Sequence, residues 1–188
     1  MKYCIILLTI CLLSFVSCSV STSYAAEPES IRQQTLEYRF LQLSLAKDQI
    51  EALRIEKAIW LLWLQSGNGK ADQLLQEAIE ARRWYNFDRA LALLDQVISI
   101  VPDYSEAWNQ RATVHFQRGD FESSLEDIAK TLELEPRHFA AMAGRGIIRL
   151  QQGDSALAIQ NIKAALDYHP YLRERKFFPF LMDSYQAP

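Results

Sequence analysis

Residues 105–138 read SEAWNQRATVHFQRGDFESSLEDIAKTLELEPRH. The spacing predicts two amphipathic helices divided by Gly119-Asp120. Glycine ends the first helix in the left-handed conformation, and aspartate caps the second. Leu125, Ile128 and Leu132 recur at helical spacing. Pro136 then stops the second helix, because proline cannot continue the backbone ladder.

The same frame extends in both directions. Pro102, Pro136 and Pro170 stand thirty-four residues apart. Leu74, Trp108 and Met142 align as large apolar residues, and Ala78, Ala112 and Gly146 as small ones. Asn86, Asp120 and Asp154 align as caps. Ala90, Ser124 and Ala158 follow, then Leu94, Ile128 and Ile162, then Ile98, Leu132 and Leu166. An internal period of this length predicts stacked supersecondary units. Small residues of the first helix would face small residues of the second, bringing two backbones close. Trp108 is expected to be buried between the helices of the central unit. Tyr85 replaces the turn glycine in the first unit, which predicts a less regular turn there.

Upstream, the pattern predicts helices over Ile31 to Ala46 and Gln49 to Gln65. Ser30 with Gln33 and Asp48 with Glu51 are candidate capping boxes. Trp60 and Trp63 are expected to pack this degenerate hairpin onto the first repeat. The alternative is an exposed binding patch. The layout is therefore 1–25 leader, 26–70 helical hairpin, repeats at 71–104, 105–138 and 139–172, and 173–188 C-terminal cap.

The 188 residues suit one domain, and 49% hydrophobic with 23% charged is globular composition. A formal net charge of −3 argues against nucleic acid as the main partner. Lys2, the apolar run from Tyr3 to Val16 and the small residues up to Ala26 form the pattern of a secretory signal peptide. Cleavage is expected after Ala25. Phe15-Val16-Ser17-Cys18 offers a second possibility, a lipidated Cys18, and an uncleaved anchor a third. Cys4, Cys11 and Cys18 all lie in the leader, so cleavage after Ala25 leaves no thiol.

The second unit, with Trp108, Ala112, Gly119-Asp120-Phe121, Ser124 and Pro136, resembles the tetratricopeptide repeat. The first keeps Leu74, Ala78, Phe87, Ala90 and Pro102, and the third keeps Gly146, Gly153-Asp154, Ala158, Ala165 and Pro170. The resemblance implies an all-α solenoid of three helix-turn-helix repeats. It implies a concave protein-binding groove lined by Asp72, Leu75, Ile79, Arg82 and Arg83, by Glu106, Asn109, Thr113, Phe116 and Gln117, and by Ala140, Ala143, Ile147, Leu150 and Gln151. Leu75 and Ile79 are the foremost members that would instead pack against neighbouring helices. The family's carboxylate clamp is absent, because its places hold Leu75, Ile79, Gln110, Ala140 and Gly144. Ile59-Trp60-Leu61-Leu62-Trp63-Leu64 resembles what precedes the repeats in small exported tetratricopeptide proteins of alphaproteobacteria.

No enzymatic constellation stands out. His115 is expected to pack, and His138 and His169 sit singly in loops without metal-ligand spacing. Gly144-Arg145-Gly146 lies within a helix and is no phosphate loop. Neither a cofactor nor a metal is expected. The expectation is a non-enzymatic scaffold of the cell envelope, periplasmic or lipid-anchored, that binds a segment of another protein; the rival is a self-associating structural subunit with an empty groove. After a short helix over Tyr171 to Lys176, Phe177-Phe178-Pro179-Phe180-Leu181-Met182 either finishes the core or docks into an apolar groove, its own or a partner's.

Overall fold

The computed structural model describes residues 29–179. They form α1 (Glu29–Ser44), α2 (Gln49–Trp63), α3 (Gly69–Arg83), α4 (Phe87–Ile100), α5 (Ser105–Gln117), α6 (Phe121–Leu134), α7 (Phe139–Gln151) and α8 (Ser155–Tyr168). A 3-10 turn, Arg173–Phe177, follows. The helices pair as α3 with α4, α5 with α6 and α7 with α8, in the frame set by the prolines. The leader, with Ala25 and Cys18, and Phe180 to Met182 lie outside the described residues.

The pairing rests on the small residues. A methyl group on Gly146 would sit 3.0 Å from Ile162 Cγ1 and 3.2 Å from the Ala158 carbonyl. Ser124 donates its hydroxyl to the Ala112 carbonyl at 2.8 Å, using the close approach for a buried hydrogen bond. Asn86, Asp120 and Asp154 each accept a backbone N–H at the start of the second helix, from Arg89, Ser123 and Leu157.

The first turn is no less regular than the others. Asn86, Asp120 and Asp154 donate their N–H to Ala81, His115 and Arg149 carbonyls, all at 2.9 Å. Gly119 and Gly153 have φ of 80° and 83°, and Tyr85 has been forced to 58°. Where irregularity was expected, the chain carries strain instead, worth roughly 1 kcal/mol for a non-glycine residue.

Trp108 differs from expectation. Leu74 and Met142 at equivalent places are buried, but Trp108 is half-buried. Its indole N–H donates to the Pro102 carbonyl at 2.9 Å, and Arg111 lies 4.7 Å from its ring. An indole needs a hydrogen-bond acceptor. The proline loop supplies one at the surface. Arg111 also grips Asp127 through Nε and Nη2, and Asp95 through Nη1, tying α5 to both α6 and α4.

The hairpin departs further. Leu36, Phe40 and Leu43 of α1 and Ala52, Ile55, Ile59 and Trp63 of α2 share a core with Phe139, Met142, Ile162, Ala165, Leu166 and Tyr171. Trp60 and Trp63 therefore pack on the third repeat, not the first. Trp63 stacks on His138 with ring centroids 4.0 Å apart and 7° between planes. The first repeat has its own core around Ala71, Leu74, Leu75, Leu94 and Val97. Its first helix exposes Gln73, Gln76 and Glu80, so that face needs no cover. The third repeat has no such polar finish. Its Ala165 and Leu166 lie in the core that the hairpin completes.

Ser30 lies within α1 rather than capping it. Asp48 does cap α2, accepting from Glu51 N–H at 2.8 Å, while the Glu51 carboxylate reaches back to Lys47 N–H. At the other end Phe178 is buried in the core shared by the hairpin and third repeat, and Phe177 remains more than half exposed.

Candidate functional site

α5 and α7, the first helices of the second and third repeats, enclose a groove of about 220 Å³. Asn109, Thr113 and Phe116 line one wall, and Ala140, Ala143 and Ile147 the other. Small residues on α7 give the groove its depth. A side chain begun at Gly144 would meet Ile128 at 3.6 Å. The polar members on α5 are satisfied internally, and Glu174 adds a carboxylate to the lining. Thr113 donates its hydroxyl to the Asn109 carbonyl at 2.9 Å, and Asn109 Nδ2 donates to Glu106 Oε2 at 3.1 Å. The groove thus offers apolar surface with few free hydrogen-bonding groups, a chemistry that suits an apolar side chain.

Six of the expected groove residues, Asn109, Thr113, Phe116, Ala140, Ala143 and Ile147, come together in this groove. Gln117, Leu150 and Gln151 are exposed and do not line it, and Arg83 is exposed and paired with Glu80 at 3.1 Å. Arg82 is partly buried; its guanidinium is pushed down by burial and held up by Glu106. Leu75 is fully buried and Ile79 packs on the first-repeat core, as their packing alternative anticipated.

Glu106 is a correction. It is 0% exposed, so a groove ligand cannot reach it. Its Oε2 lies 3.0 Å from His138 Nε2, and its Oε1 accepts from Gln110. Because His138 Nδ1 accepts the Ala141 N–H at 3.3 Å, Nε2 carries the proton and donates to Glu106. His138 caps α7 and braces the Trp63 stack. His169, likewise buried, faces Glu56 of α2 at 3.2 Å. Burial raises the Glu56 pKa, but hydrogen bonding and the charge of His169, with help from Trp60 and Arg173, outweigh it. The carboxyl titrates below its ordinary range. Both histidines stand in loops, as expected, but both are buried there. The thirty-four-residue frame held a signal, since Tyr104, His138 and Leu172 are equivalent and all three are buried.

A second cavity, about 310 Å³, lies where the hairpin bridges over residues 101–105. Trp63 Nε1 and Tyr104 Oη have no protein partner there, but both atoms are themselves buried. His115 pairs with Asp120 at 3.2 Å at the end of α5. Among the described residues no three histidine, cysteine, aspartate or glutamate side chains converge as a metal site.

Comparison with known proteins agrees with this architecture. A TPR repeat-containing protein of Rhizobium etli is 37% identical over 100 residues, 53% of this chain and 49% of the relative. The chain thus spans about half the length of that relative. The crystal structure of MamA superposes with a TM-score of 0.50 and 17% identity, covering 79% of this chain and 87% of the other, which shows likeness of fold alone. The family model for the tetratricopeptide repeat matches residues 75–130 and 109–172. With more than half of the sequence matched, the chain belongs to the tetratricopeptide-repeat family.

Proposed function

We propose that this protein is a non-enzymatic scaffold or adaptor of the bacterial envelope that holds a segment of another protein in the groove between α5 and α7. Tetratricopeptide repeats generally mediate protein–protein interaction, and proteins built from them are typically scaffolds rather than enzymes. The observation that carries the reading is the largely apolar groove, whose α5 residues Asn109 and Thr113 are already bonded within the protein and whose one charged lining residue is Glu174. An occupant gains by burying a large apolar side chain between Phe116 and Ile147, worth roughly 1.5–3 kcal/mol. The envelope assignment is supported by the signal-peptide pattern, with export ending at Ala26 or at a lipidated Cys18.

Capture from envelope extract with the wild-type protein and an Ile147→Arg variant tests the groove. Ile147 is only partly buried, so the variant is expected to fold and to lose the captured protein. Equal capture by both proteins would refute groove binding. The mature N-terminus, read by mass spectrometry, tests the compartment; an intact chain beginning at Met1 in cytosol would overturn it.

A further inference from the structure

α1 is apolar on two opposite faces. Leu36, Phe40 and Leu43 point into the core, while Ile31, Tyr38 and Leu41 lie on the opposite side at 100° per residue, and Leu45, in the turn directly after the helix, is exposed as well. α2 repeats the arrangement, with Ala52, Ile55, Ile59 and Trp63 inward and Ile50, Leu53 and Leu61 outward. These seven outward side chains are between 44% and 80% exposed. We propose that two copies of this chain pair through the outward faces of α1 and α2, so that two hairpins form a four-helix layer.

The pattern selects another helix as the occupant. Ile31 and Tyr38 stand seven residues apart with Leu41 three further on, the spacing of a helix–helix seam, and Leu45 continues it into the turn after α1. Charge disfavours a lipid surface. Residues 30–65 carry five basic residues against four acidic ones, without the basic excess of an interfacial helix. Size favours a second copy. At roughly 100 Å² per exposed side chain, the seven supply about 700 Å² per copy, and two copies about 1,400 Å², within the range of a specific interface. A two-fold pair presents the same patch from both sides, so no further surface is required. Gln34 and Lys57 interrupt the seam, and polar residues in such a seam set register while weakening association. The pair is therefore a reversible dimer of micromolar strength, formed independently of any groove occupant.

Sedimentation equilibrium on protein purified from expression of the full chain, from about 1 to about 200 µM, brackets such a Kd. Wild type is expected to pass reversibly from monomer to dimer. Leu41→Glu combined with Leu45→Glu should raise Kd by about 100-fold or more with helix content unchanged, since both positions are exposed. Lys57→Leu should lower Kd by about tenfold, by replacing a charge in the seam with apolar surface. A wild type that stays monomeric throughout overturns the proposal, as does a dimer that neither variant moves. So does a monomer that binds phosphatidylglycerol–phosphatidylcholine vesicles and loses them in the double glutamate variant, because the face would then belong to lipid.

Discussion

The repeats and the hairpin are both helical pairs, yet they are held together by different means. Within the repeats, small residues recur in register, and Gly146 lies against Ala158 as Ala112 lies against Ser124. Contact is between neighbours in sequence, the quasi-one-dimensional logic of a solenoid. The hairpin is held by large side chains at long range. Trp63 reaches His138 and Phe139, and Gln49 donates to the Tyr171 carbonyl across 122 residues. Local repetition makes the repeats legible, and a single aromatic cluster makes the hairpin's position conditional on the far end of the chain.

The largest effect should come from breaking that cluster. Trp63→Ala is expected to cost about 3–5 kcal/mol and to release the hairpin, while the core around the first repeat, whose buried members include no hairpin or third-repeat residue, is kept. Hydrogen exchange would register it as lost protection in α1, α2 and α8 with α3 and α4 unchanged. Uniform loss across all eight helices would show that hairpin and repeats are one cooperative unit.

Gly146→Ala tests the repeat side of the comparison. The added methyl meets Ile162 at 3.0 Å and the Ala158 carbonyl at 3.2 Å. Overpacking of about 1–3 kcal/mol is expected in denaturant unfolding. A variant as stable as wild type would mean that α7 and α8 separate at no cost, and the small-residue register would lose its meaning.

A smaller effect, of opposite sign, is expected at the strained turn. Tyr85→Gly removes the penalty of φ 58° and should stabilise by up to about 1 kcal/mol, seen as a raised Tm. No gain would mean that the Tyr85 ring, 5.9 Å from Phe87, offsets the strain.

The smallest effect is the hairpin's acid sensitivity. The Glu56 carboxyl is held below its ordinary 4.5 in the folded chain, so it contributes stability above that value and loses it as pH falls through the folded one. Glu56→Gln should flatten the stability profile of α2 below pH ~4.5. A profile identical to wild type would show that the pair with His169 adds nothing to docking.

Much of the fold was legible because its causes are local. Gly119-Asp120, Gly153-Asp154 and the three prolines act within one turn of where they stand, and the frame they define placed helix pairs and small contacts correctly. The groove was legible in part through the family resemblance: Asn109, Thr113, Phe116, Ala143 and Ile147 stand at places that tetratricopeptide repeats turn toward their concave face, and they line the cavity. Glu106 stands at such a place too but is buried, since its neighbour is His138 rather than solvent.

By itself, the sequence determined the family, the order of helices and the face each repeat turns inward, because capping, helix termination and amphipathic spacing act over four residues or fewer. Tertiary structure alone decided that the hairpin crosses to the third repeat, that Trp108 stays half in water, and that two buried histidines find glutamate partners, Glu106 fully buried and Glu56 partly so. Those outcomes depend on which apolar surface is left uncovered once the repeats have stacked, and on whether a polar atom finds its partner, and neither is a property of any local stretch of residues.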